Sequence, residues 1–187
     1  MQLAGEATQA TSTLTLHRVH VDTPVGPMLA LATDRALCAL EFYNGERLTR
    51  LERRLDRWFA PFSFEERANP VIEATRAWLA SYFAGQDDVP GVALDLRGAP
   101  FERRVWAELQ RIPRGATLSY GEIAKRLGDA GASRAVGMAN GANPVAIIVP
   151  CHRVIGANGS LTGYGGGLER KTWLLDHERR WRPDCLF

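Results

Sequence analysis

The sequence predicts two units of different class. Residues 1–92 read as an α/β domain with a three-stranded antiparallel sheet and helices, and 93–187 as a mostly α-helical domain containing a helix-turn-helix. Three observations carry this. Short apolar, β-branched segments alternate with turn residues over 14–43. Two amphipathic helical patterns follow before residue 85. From Pro100 the apolar spacing is helical, and two short helices with their own start signals flank a glycine-containing turn.

Taken in order, 14–21, 28–33 and 36–43 are expected as strands, divided by Thr23-Pro24, Gly26-Pro27 and Asp34-Arg35. Leu48, Leu51, Leu55 and Trp58 recur at helical steps, and Pro61 ends that helix. Asn69 is an N-cap and Pro70 a first helical residue, opening a helix toward Gly85 whose Trp78, Tyr82 and Phe83 belong to a core. Residues 85–100, GQDDVPGVALDLRGAP, mix turn residues with one alternating segment and mark the domain boundary. His17 and His20 lack the further cysteine or histidine partners of a zinc site, so no metal is expected.

PFERRVWAELQRI places Phe101, Val105, Leu109 and Ile112 on one face, and Pro113-Arg114-Gly115 breaks the helix. Ser119-x-x-Glu122 is a capping box opening YGEIAKRLG, which Gly128 closes. Ser133 then reads as the N-cap of RAVGMANGA. Such a pair serves either as a DNA-binding element or simply as a packing unit. After Arg134 the second helix offers Ala135, Gly137, Ala139, Gly141 and Ala142, although interior glycine costs about 1 kcal/mol against alanine. So bare a surface implies a close approach, either to a minor groove without base reading or to another helix.

The formal charge of +2 divides unevenly, −3 over residues 1–100 and +5 over 101–187, so the second half is the one suited to phosphate. The start lacks a basic segment followed by an apolar run, and no stretch approaches the ~18 apolar residues that cross a bilayer, which implies a soluble cytoplasmic protein. Cys38, Cys151 and Cys185 are too few and too scattered for a disulfide framework, which fits a reducing compartment.

The chain is organised around NPVAIIVPCHR, Asn143 to Arg153. Val145–Val149 reads as a buried strand or strand-like segment that ends at Pro150 and delivers Cys151, His152 and Arg153 to the edge of a core. Only the thiolate is strongly nucleophilic, and His152 and Arg153 offer a proton acceptor and a positive charge. A bare Cys-His pair is more commonly an inert buried cysteine.

PCHRV, with RAVGMANGANPVAIIV before it and NGSLTGYGGGLERKTWLLDHE after it, resembles the active-site region of the O6-alkylguanine-DNA alkyltransferases over about Phe101 to Glu178. The resemblance implies that Cys151 accepts an alkyl group irreversibly, once per molecule and without cofactor or metal, from O6-alkylguanine or O4-alkylthymine in double-stranded DNA. It implies that Glu178 orients His152, which relays the Cys151 proton through a water, while Tyr120 donates toward the base N3. Arg134, Ala135, Gly137, Ala139, Asn140 and Gly141 would face DNA, Arg134 filling the gap left by the everted nucleotide. The base pocket would use the main-chain carbonyls of Cys151 and Val154, the Gly165 N–H and the Tyr164 ring, with Asn143 as the hinge between helix and cysteine segment. Gly165 stands where some members carry serine, and Ala146 where some carry proline, which would widen the pocket toward bulkier alkyl groups.

His177 is expected at the surface, and the protein is expected to be a monomer. Gly163-Tyr164-Gly165-Gly166-Gly167 lacks the lysine and Ser/Thr of a phosphate loop, so no nucleotide cofactor is expected. The alternative is a non-catalytic damage-binding protein of the alkyltransferase-like kind; those lack the cysteine that Cys151 supplies.

Overall fold

The computed structural model describes residues 13–86 and 89–181; Cys185 and the first 12 residues lie outside this range. The three expected strands form as β1 (Leu14–Val21), β2 (Met28–Ala32) and β3 (Leu37–Phe42), joined antiparallel. A fourth strand, β4 (Phe62–Glu65), runs parallel to β1 with Leu14 opposite Phe62, giving a mixed sheet of order β3-β2-β1-β4. Four residues after a proline are too short a pattern to declare a strand, and the ladder with β1 is what makes β4 one.

Side-chain alternation gives the sheet two apolar faces. Leu16, Leu31, Cys38 and Ala39 pack against Leu51, Leu55 and Phe59 of helix α1 (Gly45–Phe59), which Asn44 caps at the Glu46 N–H. Met28, Ala30, Leu37, Leu40 and Phe42 meet Ile72, Leu79 and Tyr82 of α2 (Pro70–Phe83), whose Asn69 cap accepts from the Ile72 N–H at 3.0 Å. This second core continues into the C-terminal half, so both halves share one apolar interior.

That half holds α3 (Pro100–Gln110), β5 (Leu118–Ser119), α4 (Tyr120–Arg126), α5 (Ser133–Gly141), β6 (Val154–Ile155) and α6 (Leu168–Arg180), with β5 and β6 parallel. α3 buries Val105, Trp106 and Leu109, and the Trp106 indole N–H donates to Ala139 O at 2.8 Å, fastening α3 to α5. The capping box forms: Ser119 Oγ accepts from the Glu122 N–H, and Glu122 accepts from the Ser119 N–H at 2.7 Å. Ser133, expected as an N-cap, is instead the first helical residue of α5, and the cap position, Ala132, makes no side-chain bond.

The run Val145–Val149 is not the expected strand. One parallel bridge joins Val145 to Leu40, through Leu40 N–H to Pro144 O (2.9 Å) and Ala146 N–H to Leu40 O (2.8 Å). The chain then turns, because Ile147 takes φ of 69° and Val149 N–H returns to Val145 O at 3.0 Å. A β-branched residue pays for that left-handed conformation, which the surrounding packing and the Asn143 amide hold in place. The same outer edge of β3 is capped lower down by residues 93–95, with Leu37 N–H to Ala93 O at 2.8 Å. The edge is therefore closed by the C-terminal half rather than left free.

Charged groups secure this junction. Glu41 on β3 takes two hydrogen bonds from Arg47, each 2.6 Å, and Arg47 Nη2 also donates to Asn143 O at 3.2 Å, while Arg54 donates to Ala142 O at 2.5 Å. Burial pushes the Glu41 carboxyl up, and the Arg47 bonds and charge oppose it. Glu41→Ala should leave a buried guanidinium uncompensated and cost about 3–5 kcal/mol in urea unfolding, while replacing both partners with apolar residues should recover most of the loss.

Candidate active site

Pro150 ends the turn, and Cys151 opens a 3-10 turn, Cys151–Arg153, with 5% of its surface exposed. It lies at the floor of a cavity of about 380 Å³ whose walls come from three places: Tyr120, Gly137 and Asn140 of the helix pair, Gly163–Gly166 of the following loop, and Phe42, Arg47 and Arg50 of the N-terminal half. Burial pushes the Cys151 thiol up, and the Asn143 side chain and the Arg47 charge pull against this. Cys38, pushed by burial to about 11, is packed beneath α1 away from the cavity.

His152 is fully buried, with Nε2 2.7 Å from Glu178 Oε1, and Nδ1 has no protein partner among the described residues. Burial lowers the imidazole's basicity against the opposing pull of Glu178. Glu178, also fully buried, accepts from Arg153 Nε and Nη2 (both 2.8 Å), the Gly115 N–H (3.1 Å) and the Tyr82 hydroxyl (2.8 Å). Burial alone would raise its carboxyl, yet the imidazole and the Arg153 guanidinium hold it well below the usual carboxylate range. The pair is thus carboxylate and neutral imidazole, with the Nε2–H donating to Glu178 and Nδ1 left as an acceptor.

Asn143 sits where the resemblance puts the hinge. Its amide donates to Val149 O (2.8 Å) and Val145 O (3.3 Å) and accepts from the Val145 N–H (3.0 Å), which ties the chain just after α5 to the segment leading to the cysteine. Tyr120 lines the cavity, its hydroxyl donating to Thr162 O at 3.4 Å, and its ring packs where a β-carbon on Gly137 would lie 3.7 Å away. Tyr164 lines the opposite wall, edge-on to Phe42, with burial pushing its hydroxyl well above the ordinary value. A β-carbon built on Gly165 would fall 1.5 Å from Arg47 Nη1; glycine there makes room for an arginine already fixed by Glu41. Ala146 lines the cavity too. The Val154 carbonyl is taken by the buried Lys171 ammonium at 2.6 Å, which also donates to Thr162 O at 2.8 Å.

The exposed face of α5 carries Arg134, Ala135, Met138 and Gly141, with Gly137 half-buried. Ala139 and Asn140, expected to face outward, are instead 3% and 4% exposed: Ala139 packs in the core and the Asn140 amide donates to Cys151 O at 3.2 Å. The helix turns them inward because Val136, Ala139 and Asn140 share one side. His177 is likewise not at the surface; it is 7% exposed, hydrogen-bonded to Tyr82 O at 2.9 Å and stacked on Trp173. Its spacing of four from Trp173 on α6 was a readable signal. Arg153, expected as a positive charge beside Cys151, is bonded to Glu178, whereas Met138, Arg47, Lys171 and Tyr82 carry no local signal that would set them at the site. His17 Nε2 is hydrogen-bonded to Asp34 at 2.9 Å, with Glu65 3.3 Å from Nδ1, and among the described residues no group of three or more potential ligands gathers.

A buried cysteine lining a cavity of about 380 Å³ together with residues of a helix pair, and followed by a carboxylate-imidazole pair, marks a protein built from an α/β half and a helical half that share one cysteine-lined site. The comparisons specify it. Residues 16–96 match the 6-O-methylguanine DNA methyltransferase ribonuclease-like domain and 100–180 the DNA-binding domain of the same name. The chain is 48% identical over 167 residues to a methylated-DNA–protein-cysteine methyltransferase of Mycolicibacterium paratuberculosis, covering 89% of this chain and 94% of that protein. The Salmonella typhimurium methyltransferase is 43% identical, over 84% and 92%. The crystal structure of Mycobacterium tuberculosis OGT in complex with DNA superposes with a TM-score of 0.75 at 43% identity, covering 89% and 95%. The Pyrococcus kodakaraensis O6-methylguanine-DNA methyltransferase superposes at 0.64 with 26% identity, covering 87% and 98%. This chain belongs to the methylated-DNA–protein-cysteine methyltransferase family.

The buried pair sets a pH dependence of stability. His152 prefers its neutral form when folded, so its contribution is complete above its ordinary value of 6.5 and is lost as pH falls below it. Glu178 is held ionised, so its contribution is complete above 4.5 and is lost as pH falls further. The urea midpoint should decline below pH 6.5 and steepen below 4.5, and His152→Gln should flatten the first segment while keeping the second.

Proposed function

We propose that this protein repairs DNA by moving the alkyl group of O6-alkylguanine, and of O4-alkylthymine, irreversibly onto Cys151. The carrying observation is the cavity: Cys151 lines it, and the next residue in the chain, His152, donates to an ionised carboxylate and keeps an Nδ1 without a protein partner for a proton. On this reading the Cys151 proton passes to His152 through a water, and the thiolate attacks the saturated carbon on O6. The S–C bond forms as the C–O bond breaks, and guanine departs as an anion whose charge is neutralised by a proton and by the Tyr120 hydroxyl donating toward N3. Burial pushes the Tyr120 hydroxyl up, which keeps it a donor at neutral pH.

A lesion inside stacked DNA cannot reach a thiol at the floor of a cavity, so the nucleotide is everted, at a cost of a few kcal/mol that the damaged pair has already reduced. The bare face of α5 suits a minor groove, with Arg134 occupying the vacated stack and phosphate contacts supplying affinity without reading sequence. The second lone pairs of the Cys151 and Val154 carbonyls, which already accept from Asn140 and Lys171, join the Gly165 N–H and the Tyr164 ring in holding the base. Ala146 leaves space for alkyl groups larger than methyl. The chain works as a cytoplasmic monomer with domains 1–92 and 93–187 and needs neither cofactor nor metal.

The thioether product has no group that water readily displaces, so each molecule reacts once. Incubation with an oligonucleotide containing O6-methylguanine should add one methyl group to the intact mass, on the peptide containing Cys151, and stop at one equivalent. Product accumulating well beyond the protein present would refute the mechanism. Cys151→Ser should abolish transfer with DNA affinity nearly intact, and Arg134→Ala should weaken capture of the lesion by about tenfold, the size of one lost stacking or charge contact, without lowering the unfolding midpoint.

A further inference from the structure

We propose that Tyr82, on α2 of the N-terminal half, is a positioning residue for the proton acceptor of Cys151: its hydroxyl shares Glu178 Oε1 with the His152 N–H. The two contacts are 2.8 and 2.7 Å, and both groups are buried. This inference rests on the repair reading above.

Packing alone would be served by phenylalanine. The Tyr82 ring is stacked on Trp78 and set edge-on to Phe83, and its carbonyl accepts from His177 Nε2 at 2.9 Å and Arg114 Nη2 at 3.0 Å. The hydroxyl is thereby aimed, and what it meets is the carboxylate. Arg153 already balances the Glu178 charge through two bonds, so a neutral donor on Oε1 alters how strongly that oxygen draws the imidazole proton without altering net charge. Burial pushes the Tyr82 hydroxyl far above the ordinary tyrosine value, so it remains a donor throughout the working range. The groups facing this relay are His152 and Arg153 from the 3-10 turn, the Gly115 N–H from the turn after α3, Lys171 from α6, and Arg114 and His177 flanking Tyr82.

Withdrawing the hydroxyl should leave Oε1 a stronger acceptor, raise the basicity of His152, and so protonate the relay at a higher pH. The test is Tyr82→Phe, read in two ways: an NMR titration of the His152 ring, and single-turnover methyl transfer from an O6-methylguanine oligonucleotide across pH. The His152 midpoint and the acid limb of transfer should both move up by ~0.5–1 pH unit, the scale of one typical intramolecular hydrogen bond, with transfer near the acid limb falling ~3–10-fold. Tyr43→Phe, which removes another N-terminal hydroxyl bonded to His20 at the surface, should move neither. A His152 midpoint unchanged in Tyr82→Phe overturns the proposal, as does a rate loss uniform across pH that follows lowered stability. Because the titration does not depend on transfer, the two failures are distinguishable: a protein that transfers no methyl sinks the repair reading even if His152 shifts, whereas an unshifted His152 in a protein that does transfer sinks this inference alone.

Discussion

A carboxylate with no exposed surface survives ionised only if the fold surrounds it with donors, and Glu178 is where this chain meets that demand. The donors come from three separate segments: His152 and Arg153 beside the cysteine, Gly115 in the turn after α3, and Tyr82 on α2. Because α6 delivers the carboxylate and the other segments converge on it, the site cannot assemble before the tertiary structure does. The imidazole is neutral because it is buried, and it is oriented because Glu178 is charged.

The second constraint is the outer edge of β3. An unpaired edge exposes main-chain donors and acceptors that must be met. Residues 93–95 and 144–146 meet them, and the latter lead by turns to the cysteine. The sheet therefore sets the depth of Cys151. Arg47, paired with Glu41 at the same edge, reaches Asn143 O and stands over Gly165, so one buried ion pair touches the hinge and the cavity wall together. The N-terminal half is in this sense part of the pocket as well as its support.

The helix pair illustrates how a small-residue surface is made useful. α5 keeps Val136, Ala139 and Asn140 inward, where Trp106 and the Cys151 carbonyl meet them, and leaves Arg134, Ala135, Met138 and Gly141 outward. Close packing and a smooth outer face were alternatives when the sequence alone was read. They are the two sides of one helix, Ala139 serving the packed side and Ala135 and Gly141 the outer one.

The sequence by itself determined the secondary elements that carry strong local signals: the capped helices at Asn69 and Ser119, the three hairpin-linked strands, and the Cys151-His152 motif with Asn143 and Glu178 at family spacing. These are legible because capping, periodicity and motif spacing act over a few residues. Tertiary structure alone decided β4, which needs its partner strand, and the turns in Val145–Val149, where an apolar run that suits a strand is bent by Ile147 and held by Asn143. It alone decided which small residues of α5 face inward, that His177 is buried, and that Tyr82, Arg47 and Lys171 bond to Glu178, the Asn143 carbonyl and the Val154 carbonyl. Those outcomes depend on which distant groups a side chain meets, and a buried polar atom's partner can be separated by 96 residues, as Tyr82 is from Glu178.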